Sequence, residues 1–262
     1  MPQYDLIALY SEPEVNRITG FTDAARSLDI DALGNAYSNL LQNAPRRGLT
    51  QKPYFQTSHD GFPSGDETSN RREEHLALAL FNQPSQFCFP GGRGLDIIDY
   101  QTPLKSRQRD KGIGKIDLFG LIDTSIPAVI ELKVKGIEGR KADTPLRGLL
   151  EGLAYCAIVE ANIDDIADEA KSVFNSHTTQ TRPDLVVMAP DDYWEYYLGK
   201  SRAGDWFKVL EELIAKIGKK LHINTHLISL VNADFEMGSS EKRPKLNSQC
   251  YMVSVGREMI KA

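Results

Sequence analysis

GKIDLFGLIDTSIPAVIELKVKG, residues 114–136, holds two apolar runs on either side of a short turn at residues 123–127. Two such runs around a turn of that length predict a β-hairpin. Three charged residues stand inside it: Asp117, Glu131 and Lys133. A sheltered carboxylate or ammonium is costly unless it is paired or bound to a metal, so something must hold these groups or use them. Side chains alternate along a strand, so Glu131 and Lys133 project to one face while Ile130, Leu132 and Val134 take the other. The hairpin then brings Asp117 beside Glu131, and two carboxylates and a lysine converge at one end of a sheet.

Outward from the hairpin the pattern alternates between helix and strand. Upstream stand a helix over residues 71–83, a turn at PGGRG (90–94) and a strand near LDIIDYQTPL (95–104). Downstream come a helix over 144–162, a strand at DLVVMAP (184–190), a helix over 205–221 and strands near 226–235 and 249–258. Such an order predicts an α/β fold in which helices sandwich a sheet. Before it, TDAARSLDIDALGNAYSNLLQN (22–43) reads as a helix capped by Thr22, with Leu33, Tyr37, Leu40 and Leu41 at helical spacing. Residues 46–70, rich in Gly, Pro, Ser and Thr, read as a long loop. The expected division is a helical extension and linker over residues 1–65 and the α/β domain over 66–262.

Composition sets the outer limits. A chain of 262 residues with 41% hydrophobic content buries a sizeable core. Its net charge of −5 gives no global sign of nucleic-acid binding, which leaves that argument to local patches. Cys88, Cys156 and Cys250 are odd in number and form no CxxC pair, which argues against a disulfide framework or zinc knuckle and for a reducing cytoplasm. No export signal or run of about 18 apolar residues is evident, so no membrane association is expected. GxSxG and dinucleotide fingerprints are absent, and PGGRG lacks the lysine and following helix of a P-loop. His222 and His226 in HINTH would suit zinc only on a helix with a third ligand, and they lead into a strand-like segment.

Hard oxygen donors of the Asp117 and Glu131 kind suit Mg²⁺ or Mn²⁺, which bind through one or two carboxylates together with substrate phosphate oxygens. A nearby lysine can orient a water or assist its deprotonation, and the set outlines a phosphodiesterase site. Asp117, thirteen intervening residues and then Glu131-Leu132-Lys133 resemble the signature of the PD-(D/E)xK nuclease superfamily, with Ile116 in place of its proline. The resemblance covers roughly residues 70–190. It implies a restriction-endonuclease-like αβββαβ core, a central mixed β-sheet flanked by helices, with metal held by Asp117, Glu131 and the carbonyl of Leu132. Many members carry a glutamate on the preceding helix. Here Glu73 falls within the helix's apolar face and Glu74 near its edge, which favours Glu73 as the site residue and further ligand. A subset resembling the RecB nuclease domain has Q-x-x-x-Y on the helix after the lysine strand. This chain has Arg147, Glu151 and Tyr155 at four-residue steps, a stripe that can face the substrate.

Local charge supports a nucleic-acid partner. Lys105, Arg107, Arg109, Lys111 and Lys115 precede the Asp117 strand with only Asp110 against them, and Lys135, Arg140, Lys141 and Arg147 follow the motif. Acidic groups collect elsewhere, in EANIDDIADEA (160–170). A basic rim around a metal site is what binding a phosphate backbone requires, and family analogy favours DNA over RNA. A homodimer would suit an enzyme that cuts both strands, although no segment marks its interface. The rival expectation is a nucleic-acid-binding or assembly protein that keeps the fold without turnover.

Overall fold

The computed structural model describes residues 5–55, 59–63, 72–136, 142–198 and 205–256. Its helices are α1 (Leu6–Leu9), α2 (Phe21–Ser27), α3 (Ile30–Asn43), α4 (Arg72–Phe81), α5 (Pro145–Ala161), α6 (Ile163–Phe174), α7 (Asp191–Leu198) and α8 (Trp206–Leu221). The strands are β1 (Phe87–Phe89), β2 (Arg93–Pro103), β3 (Lys115–Ile122), β4 (Ile126–Leu132), β5 (Asp184–Pro190), β6 (Thr225–Val231), β7 (Phe235–Glu236), β8 (Lys245–Leu246) and β9 (Tyr251–Ser254). Seven of them form one mixed sheet in the order β1-β2-β3-β4-β5-β6-β9. The pairs from β1 to β4 are antiparallel, β4-β5-β6 are parallel and β9 closes antiparallel on β6. The sheet curls far enough to bring its edge strands β1 and β9 into contact, which gives it a nearly barrel-like form.

Strand alternation divides the interior into two cores. Val129, Leu185, Val187 and Ala189 face α5 and the helices beyond it, whereas Ile130, Leu132, Val186 and Met188 face α4. Each fully buried aliphatic side chain contributes about 1.5–3 kcal/mol, so the two faces together hold the sheet between its helices. Helices α1 to α3 share the first core with α5 and α8 through Leu6, Phe21, Leu33 and Tyr37. Gly148 lets α5 lie close on the sheet: a Cβ there would sit 3.2 Å from both Lys133 Cε and Val187 Cγ1. No helix among the described residues is long and apolar enough to cross a membrane.

Several elements depart from the sequence expectation. The helix expected over 22–43 is two helices, because Asp29 in an extended conformation caps α3 by accepting from the Asp31 and Ala32 N–H groups. Gly20, not Thr22, occupies the cap of α2. The acidic segment after Asn162 forms α6, and DDYWEYYL, not assigned in the sequence, forms α7 with Tyr193, Trp194 and Tyr197 buried. Strand β4 stops at Leu132. Although the Lys133 N–H still donates to Met188 O (2.9 Å), the next parallel rung would draw on the N–H that Pro190 lacks. The β3–β4 turn places Asp123 and Thr124 at φ 50° and 60°, left-handed values that suit the twist of a tight hairpin. PGGRG is a turn, with Gly91 and Gly92 at φ 82° and 76°.

Candidate active site

Past Leu118 and Ile130 the ladder between β3 and β4 ends. The Asp117 carboxylate enters the gap, and its Oδ2 accepts from the Leu132 N–H at 3.0 Å. On the same face Glu131 and Lys133 project toward α5, as alternation requires. Both are almost fully buried, and Lys133 Nζ donates to Glu131 Oε1 at 2.6 Å. From α5, Glu151 brings Oε2 to 3.6 Å from the same ammonium, while its Oε1 accepts the Tyr155 hydroxyl at 3.0 Å. Glu73 on α4 faces this group, its strongest charged neighbours being Lys133 and Asp117, whereas Glu74 lies toward Tyr100. Lys133 is therefore paired with carboxylates from β4 and from α5, and the charges of Asp117 on β3 and Glu73 on α4 act on it as well.

The electrostatics follow from that crowding. Burial, opposed by Lys133 and reinforced by Asp117, pushes Glu73 up to about 7. Burial, opposed by Lys133 and the Leu132 N–H, pushes Asp117 up to about 6. Glu131 is raised by burial and by Asp117. Burial pulls the other way on Lys133, but Glu131, Glu73, Asp117 and Glu151 outweigh it and hold the ammonium charged. Glu131 Oε2 is buried without a hydrogen-bond partner. Carboxylates raised first by burial and then by one another's charge, with one buried oxygen unanswered, are a donor set short of positive charge.

Among the described residues no three His, Cys, Asp or Glu side chains are gathered as metal ligands. Mg²⁺ does not require that number: one or two carboxylates plus a substrate oxygen suffice, since it keeps several waters. The hard oxygens of Asp117 and Glu131, with the unanswered Oε2, fit such a cation.

The basic loop between β2 and β3 leaves Lys105, Arg107, Arg109 and Lys111 exposed, and Lys115, which opens β3, is exposed beside it. Its shape comes from Asp110, whose Oδ2 accepts from the Ser106 and Arg107 N–H groups at 2.9 and 2.8 Å, and from Tyr10 just past α1, whose hydroxyl donates to Gly112 O. Lys135 is exposed beside Asp192, 4.0 Å away, while Arg140 and Lys141 lie outside the described residues. The α5 stripe behaves differently from this rim. Arg147 is half-buried and engaged with Asp143 (3.4 Å) and Glu151 (3.8 Å), and Tyr155 is only 2% exposed. Both reach Glu151, and of the two only Arg147 keeps part of its side chain at the surface. At the carboxyl ends of β4, β5 and β6 lies a cleft of about 740 Å³, lined in part by Arg72, Val134, Lys135, Asp191 and Asn232. Its wall adjoins Glu73 and Lys133 in sequence.

His226 lies on β6 and is held by the buried Asp184 (3.1 Å), and His222 ends α8 at φ 57°. They form no pair. Two features of the site were missed in the sequence. Asp143 lies in a polar stretch with no periodicity to mark it. Gln101 of β2 donates from Nε2 to Asp117 Oδ1 at 3.3 Å, and its only signal is a polar residue within the strand segment LDIIDYQTPL. Compared with models of known protein families, with curated proteins and with solved structures, the chain matches none.

Proposed function

We propose that the protein is a metal-dependent nuclease of the PD-(D/E)xK type, hydrolysing phosphodiester bonds in DNA. In this reading α4, β2, β3, β4, α5 and β5 make a restriction-endonuclease-like αβββαβ core. The observation that carries it is the convergence of Asp117, Glu131 and Lys133 on one face of adjacent strands, with Glu151 3.6 Å from the same ammonium and Glu73 among the charges that act on it. Asp117, Glu131 and the Leu132 carbonyl would hold Mg²⁺ or Mn²⁺, with Glu73 as a further donor. Such a cation, when bound, offsets phosphate charge and acidifies water.

The chain's own residues supply the rest. Lys133, kept charged by its neighbours, acts as a donor that orients the attacking water or a phosphate oxygen, not as the base that takes a proton. Glu151 and Tyr155 hold that ammonium in place from behind. The exposed cations from Lys105 to Lys115 draw the backbone in, and their contribution is salt-dependent and blind to sequence. The cytoplasmic setting expected from the cysteines suits an enzyme acting on DNA.

The test is incubation of the purified protein with duplex, single-stranded and branched DNA and with RNA, in Mg²⁺, Mn²⁺ or EDTA. DNA cleavage in the metal arms and none in EDTA is the expected result. Failure to cut any substrate with either metal would replace this reading with that of a nucleic-acid-binding or assembly protein on the same scaffold.

A further inference from the structure

Gln101 has a backbone that its position does not explain. It lies within β2, flanked by the regular pairs Tyr100↔Leu118 and Thr102↔Ile116, yet its φ is 49°. A residue with a Cβ rarely adopts the left-handed region, and inside a strand nothing about sheet geometry calls for it. Such conformations persist only where the surroundings over-determine them, and they gather at functional sites.

The surroundings here do over-determine it. The β2–β3 register shifts between Ile97 and Asp99, so the strand is already bulged at Ile98, three residues earlier. Asp99 is 2% exposed, and its Oδ2 accepts the Thr102 hydroxyl at 2.8 Å, tying the residue after Gln101 back across the bend. Its Oδ1 is held by His59 Nδ1 at 2.6 Å, and that imidazole stacks on the Tyr100 ring with centroids 4.3 Å apart. The residues on both sides of Gln101 are thereby fixed, and the amide is left to donate to Asp117 Oδ1.

We propose that Gln101 is a positioning residue for Asp117: the bent backbone of β2, clamped by Asp99, aims a neutral donor at one carboxylate oxygen while the Leu132 N–H holds the other. The inference rests on the reading of Asp117 as a metal ligand. A carboxamide suits the task better than a charged group, because lysine or arginine would compete with a cation and a carboxylate would repel the aspartate. One donor on each oxygen fixes the carboxylate plane and leaves the remaining lone pairs available.

Two substitutions separate aim from fold. Gln101→Gly accepts φ 49° without strain and removes the amide. Gln101→Asn tolerates the left-handed region and keeps an amide one methylene short of its target. Free Mn²⁺ measured by electron paramagnetic resonance during titration of the full chain reads the site without requiring turnover, and the thermal midpoint reads the fold. Both variants should bind Mn²⁺ about 10-fold or more weakly, as outer partners of metal ligands do. Gln101→Gly should meanwhile match or exceed the parent midpoint. Affinity within about twofold of a parent that binds Mn²⁺ would overturn the role of Gln101 and leave the metal reading standing, as would an affinity loss accompanied by a comparable fall in midpoint. A parent that binds no Mn²⁺ would overturn the metal reading and this inference with it.

Discussion

Replacing Glu73 with glutamine should make the protein more stable, and by an amount that depends on pH. In the folded chain Glu73 is pushed up from 4.5 to about 7, first by burial and then by Asp117, Asp143 and Glu151, with Lys133 opposing. An acid whose folded pKa lies above its unfolded value binds its proton more tightly when folded. Stability is therefore lost as pH rises from about 4.5 through about 7 and stays lost above it. At about 1.4 kcal/mol per unit the full displacement amounts to roughly 3 kcal/mol, and the partial solvent access of Glu73 reduces this to about 2–3 kcal/mol. Glutamine does not ionise. Glu73→Gln should match the parent near pH 4 and exceed it by about 2–3 kcal/mol at pH 8, or roughly 5–10 °C in midpoint for a chain of this size. The assay is urea and thermal unfolding of both proteins across that range in EDTA, with Glu74→Gln beside them. Parallel parent and Glu73→Gln curves, or a less stable variant at pH 8, would refute the reasoning. A pH-dependent gain at Glu74 instead would show that the helix presents the other glutamate to the cluster.

Lys133→Ala should lower single-turnover cleavage at saturating enzyme by about 10²-fold or more, as loss of an acid–base group does, while DNA affinity changes far less; equal rates in parent and variant would remove the lysine from the mechanism. Lys111→Ala, on the exposed rim, should weaken DNA binding and reduce the salt dependence of log Kd by about 0.9, one phosphate contact, with the cleavage rate at saturation unchanged. An unaltered salt slope would mean that this side chain touches no phosphate.

The alternation of apolar and charged residues in 114–136 was enough to place Glu131 and Lys133 on one face and Asp117 on the neighbouring strand, because a strand's period of two is a local property. The same locality let a 71–81 wheel put Glu73 nearer the middle of the helix's apolar face than Glu74, the choice that the pair of glutamine variants tests. Periodicity failed where a cap or a distant partner decided the outcome. The Asp29 side chain divides one apolar helical pattern into α2 and α3, and α7 owes its place to three aromatics buried against elements remote in sequence. Arg147, Glu151 and Tyr155 read as a stripe that can face the substrate, but spacing along α5 does not tell that Tyr155 is buried against Gly114 or that Arg147 pairs with Asp143 and Glu151. Gln101 shows the limit most sharply. Residue types along β2 say nothing of a left-handed φ, which occurs where Asp99, Thr102 and His59 meet in three dimensions and Asp117 stands across the sheet to receive the amide. Which face a side chain takes is written in spacing along the chain, whereas which groups share a proton or a cation depends on how far apart folded elements stop, and that distance is set by packing.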